Sequence, residues 1–137
     1  MHPDRPDRPP ARERPRRVAA AIAIVFGVAT IRAGGLVLIG NARAVADAGH
    51  YVGFVLWFNF VAGFFYVLAG VWLWQRRRRA ARLAAALALA TLLVFLAFGI
   101  HIAAGGAWER RTLAAMTLRS VVWIGLAVTA RRQTYLS

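Results

Sequence analysis

Four apolar stretches, each long enough to cross a bilayer, occupy nearly all of the chain after residue 17. They run approximately from Val18 to Gly40, Tyr51 to Trp74, Leu83 to Gly106 and Thr112 to Ala130. A helix rises about 1.5 Å per residue and the hydrocarbon core is about 30 Å thick, so each can span. No other feature limits the fold so severely, because only segments that satisfy their own backbone hydrogen bonds survive in lipid.

The composition agrees. Of 137 residues, 60% are hydrophobic and the mean hydropathy is +0.55, outside the range of an ordinary soluble domain. The connections are short, Asn41 to His50, Gln75 to Arg82 and Ala107 to Arg111, so consecutive helices are expected to be antiparallel neighbours. The expected fold class is an all-α membrane protein, a four-transmembrane-helix up-down-up-down bundle. It is flanked by a disordered Arg/Pro-rich tail over 1–17 and a short tail over 131–137. Two helical hairpins suggest a duplicated unit, but no residue-level repeat accompanies them. A cleaved signal peptide is the rival for the first span; the apolar run continues past Arg32 to Gly40 without a small-x-small cleavage site.

The net charge of +13 is carried by arginine alone among the basic residues. Such a balance can mark a nucleic-acid binder. Here the arginines collect at span ends, where lipid headgroups and orientation account for them, so no nucleic-acid partner is expected. Thirteen arginines fall in the N-terminal tail, in the second connection and after the fourth span, against Arg43, Arg110 and Arg111 on the other side. The positive-inside rule then places both termini in the cytoplasm of a bacterial-type inner membrane. Trp72 and Trp74 at one end, and Tyr51 and Trp108 at the other, suit interfacial belts. The absence of cysteine excludes disulfides, thiolate metal sites and thiol redox chemistry.

Small and polar residues mark the faces through which membrane helices associate. On the second span Asn59, Ala62, Gly63, Tyr66 and Gly70 form such a stripe, while Phe54, Trp57, Phe60, Phe64 and Phe65 suit lipid or aromatic packing. Ala86, Ala90, Ala97, His101 and Ala104 are the corresponding expectation on the third span, and Thr112, Ala115 and Arg119 on the fourth.

If the chain weaves four times, Arg32, Asn59, His101 and Arg119 lie in one half of the membrane, one strong hydrogen-bonding group per helix. An arginine at a helix centre costs about 2.5–3.5 kcal/mol on insertion scales and usually faces a bundle interior or wet cavity. The alternative is snorkelling of each guanidinium to the headgroups. Asp47 and Glu109 are the counter-charges on that side. Folded onto Arg32 and Arg119 they make a neutral network; otherwise the layer carries excess positive potential suited to a carboxylate, phosphate or quinone oxygen. The leading expectation is a non-enzymatic protein that binds or passes a small anionic or oxygen-rich molecule through an outward-facing pocket at these four residues, as an accessory subunit or alone. His50 and His101 allow a second reading, a haem- or quinone-linked redox subunit, without a third ligand at metal-like spacing. A third is structural assembly with a membrane-protein partner or a second copy. No phosphate-binding glycine loop, nucleophile elbow or HExxH is present, no cofactor or metal site is expected, and Gly34-Gly35 and Gly105-Gly106 suit bends or close packing.

The four-span plan, the run Arg32-Ala33-Gly34-Gly35, and the glycines of Ala62-Gly63 and Ala69-Gly70 resemble the DoxX-like family of small bacterial membrane proteins. The resemblance covers most of Val18 to Ala130. It implies a membrane subunit accompanying quinone-linked or thiol-redox systems, and no site residue follows from it.

The charge asymmetry predicts the outcome of topology mapping. An alkaline phosphatase fusion at Ser137 should be inactive and one within the 41–50 connection active; the reverse would overturn the orientation.

Overall fold

The computed structural model describes residues 13–134, with the backbone alone at 133 and 134. Five helices follow one another: α1 (Glu13–Leu38), α2 (Ala42–Ala48), α3 (Gly53–Trp74), α4 (Arg79–Ala103) and α5 (Arg110–Thr134). Four of them, all but α2, are long and apolar enough to cross a membrane, and the described residues contain no strand. The chain is an all-α four-helix membrane bundle. Both described chain ends lie at the same end of the bundle, called the termini end below; α2 and the α4–α5 connection lie at the far end.

Two differences from the sequence expectation concern boundaries. Helix α1 begins at Glu13, inside the stretch expected to be a disordered tail, whose first twelve residues lie outside the described structure. Glu13 holds that first turn by pairing with Arg17 at 3.2 Å and Arg16 at 4.0 Å, a favourable place for a carboxylate at a helix start. The first connection also contains a helix, α2, started by Asn41, whose side-chain oxygen accepts from the Ala44 N–H at 3.1 Å.

The long helices pack as two antiparallel pairs, α1 with α3 and α4 with α5. Contact between α3 and α4 joins the pairs, and α1 and α5 meet only briefly. The first pair is the tighter. A Cβ at Gly63 would stand 3.2 Å from both the Gly27 carbonyl oxygen and the Ile31 backbone nitrogen. At Gly70 it would stand 2.9 Å from the Ala20 carbonyl oxygen and 3.0 Å from the Ile24 nitrogen. These neighbours are backbone atoms and cannot rotate aside. Ala20, Gly27 and Gly34 on α1 and Gly63 and Gly70 on α3 thus recur every seven residues and let two backbones touch, the packing expected where lipid offers no hydrophobic drive. Gly34 and Gly35 receive the Phe60 ring.

On α3 the stripe Asn59, Ala62, Gly63, Tyr66 and Gly70 is buried, and Phe54, Trp57, Phe64 and Phe65 are exposed. On α4 the expected face is corrected. Ala86, Ala97 and Ala104 are exposed, and the buried face, turned about a third of the way round the helix, carries Ala80, Ala84, Leu87, Ala88, Thr91 and Phe98. Alanine lies all round the first half of this helix, so small size selects no side. The hydroxyl of Thr91 and the bulk of Phe98 do.

Three helices end in the same backbone motif, with the residue past the cap in the left-handed region. Gly40 does this after α1 (φ +74°) and Gly105 after α4 (φ +82°). After α3 the position is taken by Arg76 (φ +58°), with Arg76 N–H donating to Leu73 O at 3.3 Å and Arg77 N–H to Trp72 O at 2.9 Å. A side chain there costs about 1–2 kcal/mol relative to the right-handed conformation. The Arg76 guanidinium reaches Glu13 and ties the start of α1 to the α3–α4 turn.

Gly63→Ala and Gly70→Ala should each destabilise the bundle by about 1–3 kcal/mol through overpacking against backbone. Gly99→Ala and Gly125→Ala, where nothing lies within 4 Å, should be neutral or stabilising by up to about 1 kcal/mol. Unfolding in a mild detergent would read the contrast.

Candidate functional site

Distance along each helix sets the depth of its polar groups. Asn59 on α3 and Met116 on α5 both lie about 9 Å from the far ends of their helices. Asn59 is buried; its Nδ2 donates to Met116 Sδ at 3.9 Å, a weak acceptor, and its Oδ1 has no partner. Arg119 lies one turn deeper, half-buried, about 13 Å from the start of α5. Its guanidinium carbon sits 5.9 Å from the centroid of the Phe26 ring of α1, and its Nε is shielded without a hydrogen-bond partner.

Below that, about 18–20 Å from the far end, an aromatic stack crosses the bundle. The Tyr66 ring lies 4.4 Å from Trp123 of α5 and 6.0 Å from Phe26 of α1, centroid to centroid. The Tyr66 hydroxyl lies beside the Thr91 hydroxyl of α4 and the Trp123 indole N–H, with the Arg119 charge nearby. Tyr66, Thr91 and Trp123 are fully buried, and none of their three polar atoms makes a hydrogen bond of full geometry. All four spanning helices contribute to this region, and its groups are rich in donors. Arginine and tryptophan offer only N–H, and the hydroxyls offer one O–H each.

Apolar residues close the site along the bundle axis. Val52, Val55, Phe98 and Met116 form a buried cluster on the far side. Toward the termini end the filling is Leu73, Ala84, Leu126 and Ala130 with their alanine neighbours.

The structure brings two of the four residues singled out in the sequence into one region. Asn59 reaches Met116, within one helical turn of Arg119. Arg32 stands on an exposed face of α1, with no hydrogen bond or ion pair to another described residue. His101 lies at the far end, where its Nε2–H donates to Ala107 O at 3.2 Å and its ring meets Phe54 edge-on at 6.1 Å. Gly106 packs on the same ring so closely that any Cβ would collide with it.

The Glu109 carboxylate is engaged elsewhere, and Asp47 takes part through its backbone carbonyl. Glu109 Oε1 accepts from the His50 backbone N–H at 3.2 Å and meets His50 Nδ1 at 3.3 Å. Arg111 donates to the Asp47 backbone carbonyl at 2.8 Å. These contacts fasten the α2–α3 connection to the α4–α5 connection, and neither carboxylate forms an ion pair with Arg32 or Arg119. The N–H of His50, then its ring, holds the Glu109 carboxyl below its ordinary pKa. Among the described residues no cluster of three or more metal-ligating side chains occurs.

Phe26, Thr91 and Trp123 were not anticipated as members of the polar region. Two of them carried a signal. Trp123 is an indole in mid-span, away from the interfaces where indoles collect. Thr91 is the lone hydroxyl residue of α4.

No protein-family model, curated protein or solved structure matches this chain.

The Glu109 latch should be acid-sensitive. A carboxylate whose folded pKa is lowered stabilises the fold above the ordinary carboxylate range and loses that contribution as pH falls through the lowered value. Glu109→Gln should therefore flatten the acid limb of the Tm-against-pH curve and leave it unchanged near neutrality. Parallel curves for the two proteins would refute the latch.

Proposed function

We propose that this protein is a multi-pass protein of a bacterial-type inner membrane, with both termini cytoplasmic, that binds or passes a small anionic or oxygen-rich molecule without catalysing its conversion. The observation that carries the reading is Arg119. A guanidinium stays protonated in any protein environment. This one is half-buried within a membrane span, and no carboxylate among the described residues pairs with it. The Phe26 ring face offers about 0.5–2 kcal/mol of cation–π attraction, less than the insertion cost of about 2.5–3.5 kcal/mol. A ligand oxygen would complete the compensation and meet the unpartnered donors of Tyr66, Thr91 and Trp123. Asn59, one turn from Arg119, would orient it. In this proposal Arg32 and His101 act at the rim, Arg32 by attracting anions toward the membrane surface and His101 by fixing the loop at the far end.

His101 uses Nε2 on the Ala107 carbonyl, which favours loop tethering over axial ligation of a haem. Kinship with the DoxX-like family belongs to the same proposal. It rests on Arg32-Ala33-Gly34-Gly35, two of whose glycines seat Phe60.

The test is thermal unfolding of detergent-purified protein against inorganic phosphate, acetate, palmitate and a short-chain quinone. At least one should raise Tm with concentration, a hundredfold excess over Kd contributing about 2.7 kcal/mol. Arg119→Leu should abolish that response. If no compound in the panel shifts Tm, and Arg119→Leu is as stable as the parent or more so, the arginine is a lipid-facing residue and the proposal fails.

A further inference from the structure

The packing around Arg119 restricts the route by which a ligand reaches it. Along the bundle axis the way from the far end is filled by Val52, Val55, Phe98 and Met116, and from the termini end by the alanine-rich core. The lateral seams differ. α1 lies against α3 at backbone distance and α4 against α5 along much of their length, whereas α1 and α5 touch least of the adjacent long helices. The Arg119 guanidinium lies at that loosest seam, over Phe26, with the fully buried Tyr66 and Trp123 behind it. At Arg119, about 13 Å below the start of α5, that seam faces hydrocarbon.

We infer that the ligand is a membrane-dissolved lipophile with a carboxylate head, which enters sideways between α1 and α5 and sets that head on Arg119. The inference rests on the function proposed above and names its ligand class. A small hydrated anion has no aqueous path through the plugs, and phosphate heads of lipids stay charged and at the interface. A long-chain carboxylic acid behaves differently. It loses its charge in a nonpolar medium and is favoured as the anion beside a guanidinium, so it can reach this depth and then pair there. The planar head matches the guanidinium fork, and the Trp123 N–H and the Tyr66 and Thr91 hydroxyls supply further donors. The tail remains in lipid along the α1–α5 seam.

The experiment uses the full chain in dodecyl maltoside with a palmitate analogue carrying a mid-chain diazirine. Light should label peptides of α1 around Phe26 and of α5 around Arg119. Palmitate should compete, and methyl palmitate, with the same tail and no charge, should not. Arg119→Leu should weaken competition by about tenfold or more, as loss of a charge-assisted pair implies. Arg119→Lys, which keeps the charge, should retain part of it and serves if the leucine variant does not fold. Labelling confined to the outer face of α4, between Leu92 and Ile100, or equal competition by methyl palmitate, would overturn the inference. So would an Arg119-dependent Tm shift with phosphate or acetate but none with palmitate, an outcome that keeps the proposed function and removes its lipophilic ligand. No shift with palmitate removes the inference, and no shift with any compound of the panel, together with an Arg119→Leu protein as stable as the parent, removes the proposed function as well.

Discussion

Everything in this bundle depends on how closely α1 and α3 approach. Lipid tails are as apolar as leucine, so burial of hydrocarbon alone does not bring two membrane helices together. Contact between backbones does, because it gains dispersion along the whole interface and displaces ordered lipid. Glycine opposite alanine or glycine, every seventh residue on both helices, is what permits it. Once that pair is fixed, the flank of the same α3 face presents Asn59, Tyr66 and Leu73 at set heights, and the second pair has a template to pack on.

The polar region follows from that template and is unlike the surrounding core. Alanine dominates the termini half, where helices need only fit together, and large aromatic side chains fill the next level of the core. Tyr66, Trp123 and Phe26 meet at this level, beside the hydroxyl of Thr91 and the guanidinium of Arg119. An interior of apolar residues of the same volume would satisfy the packing equally well, so the retention of five unpartnered polar atoms in Asn59, Tyr66, Thr91, Arg119 and Trp123 calls for a reason beyond stability.

The spans and the antiparallel order were legible in the sequence because both depend on lengths and hydropathy, which lipid reads directly. The α3 face was legible because glycine, asparagine and tyrosine stand out among bulky neighbours. The α4 face was not. A helix with alanine on every side carries no directional signal until a partner is present. The candidate site was legible only in part for a related reason. Depth can be counted along a helix, and by depth Asn59 lies within about one turn of Arg119. Azimuth cannot be counted without knowing the buried face, so Arg32, at similar depth, turns outward. Glu109 was expected among the charges of the arginine layer, but its oxygen is held by a backbone N–H of His50, a partner that no side-chain pattern reveals.

The division of the chain into two hairpins has a consequence for biogenesis. Phe26, Asn59 and Tyr66 belong to the first hairpin, and Thr91, Arg119 and Trp123 to the second. When the first emerges from the translocation machinery it can close at once on its glycines, with its polar groups turned toward lipid. The second carries a guanidinium that hydrocarbon tolerates poorly, and no small-residue groove of comparable depth. Its late arrival completes the bundle by giving that charge an aromatic surface to rest on, so that the residue least suited to the membrane becomes the one that draws the two halves of the molecule together.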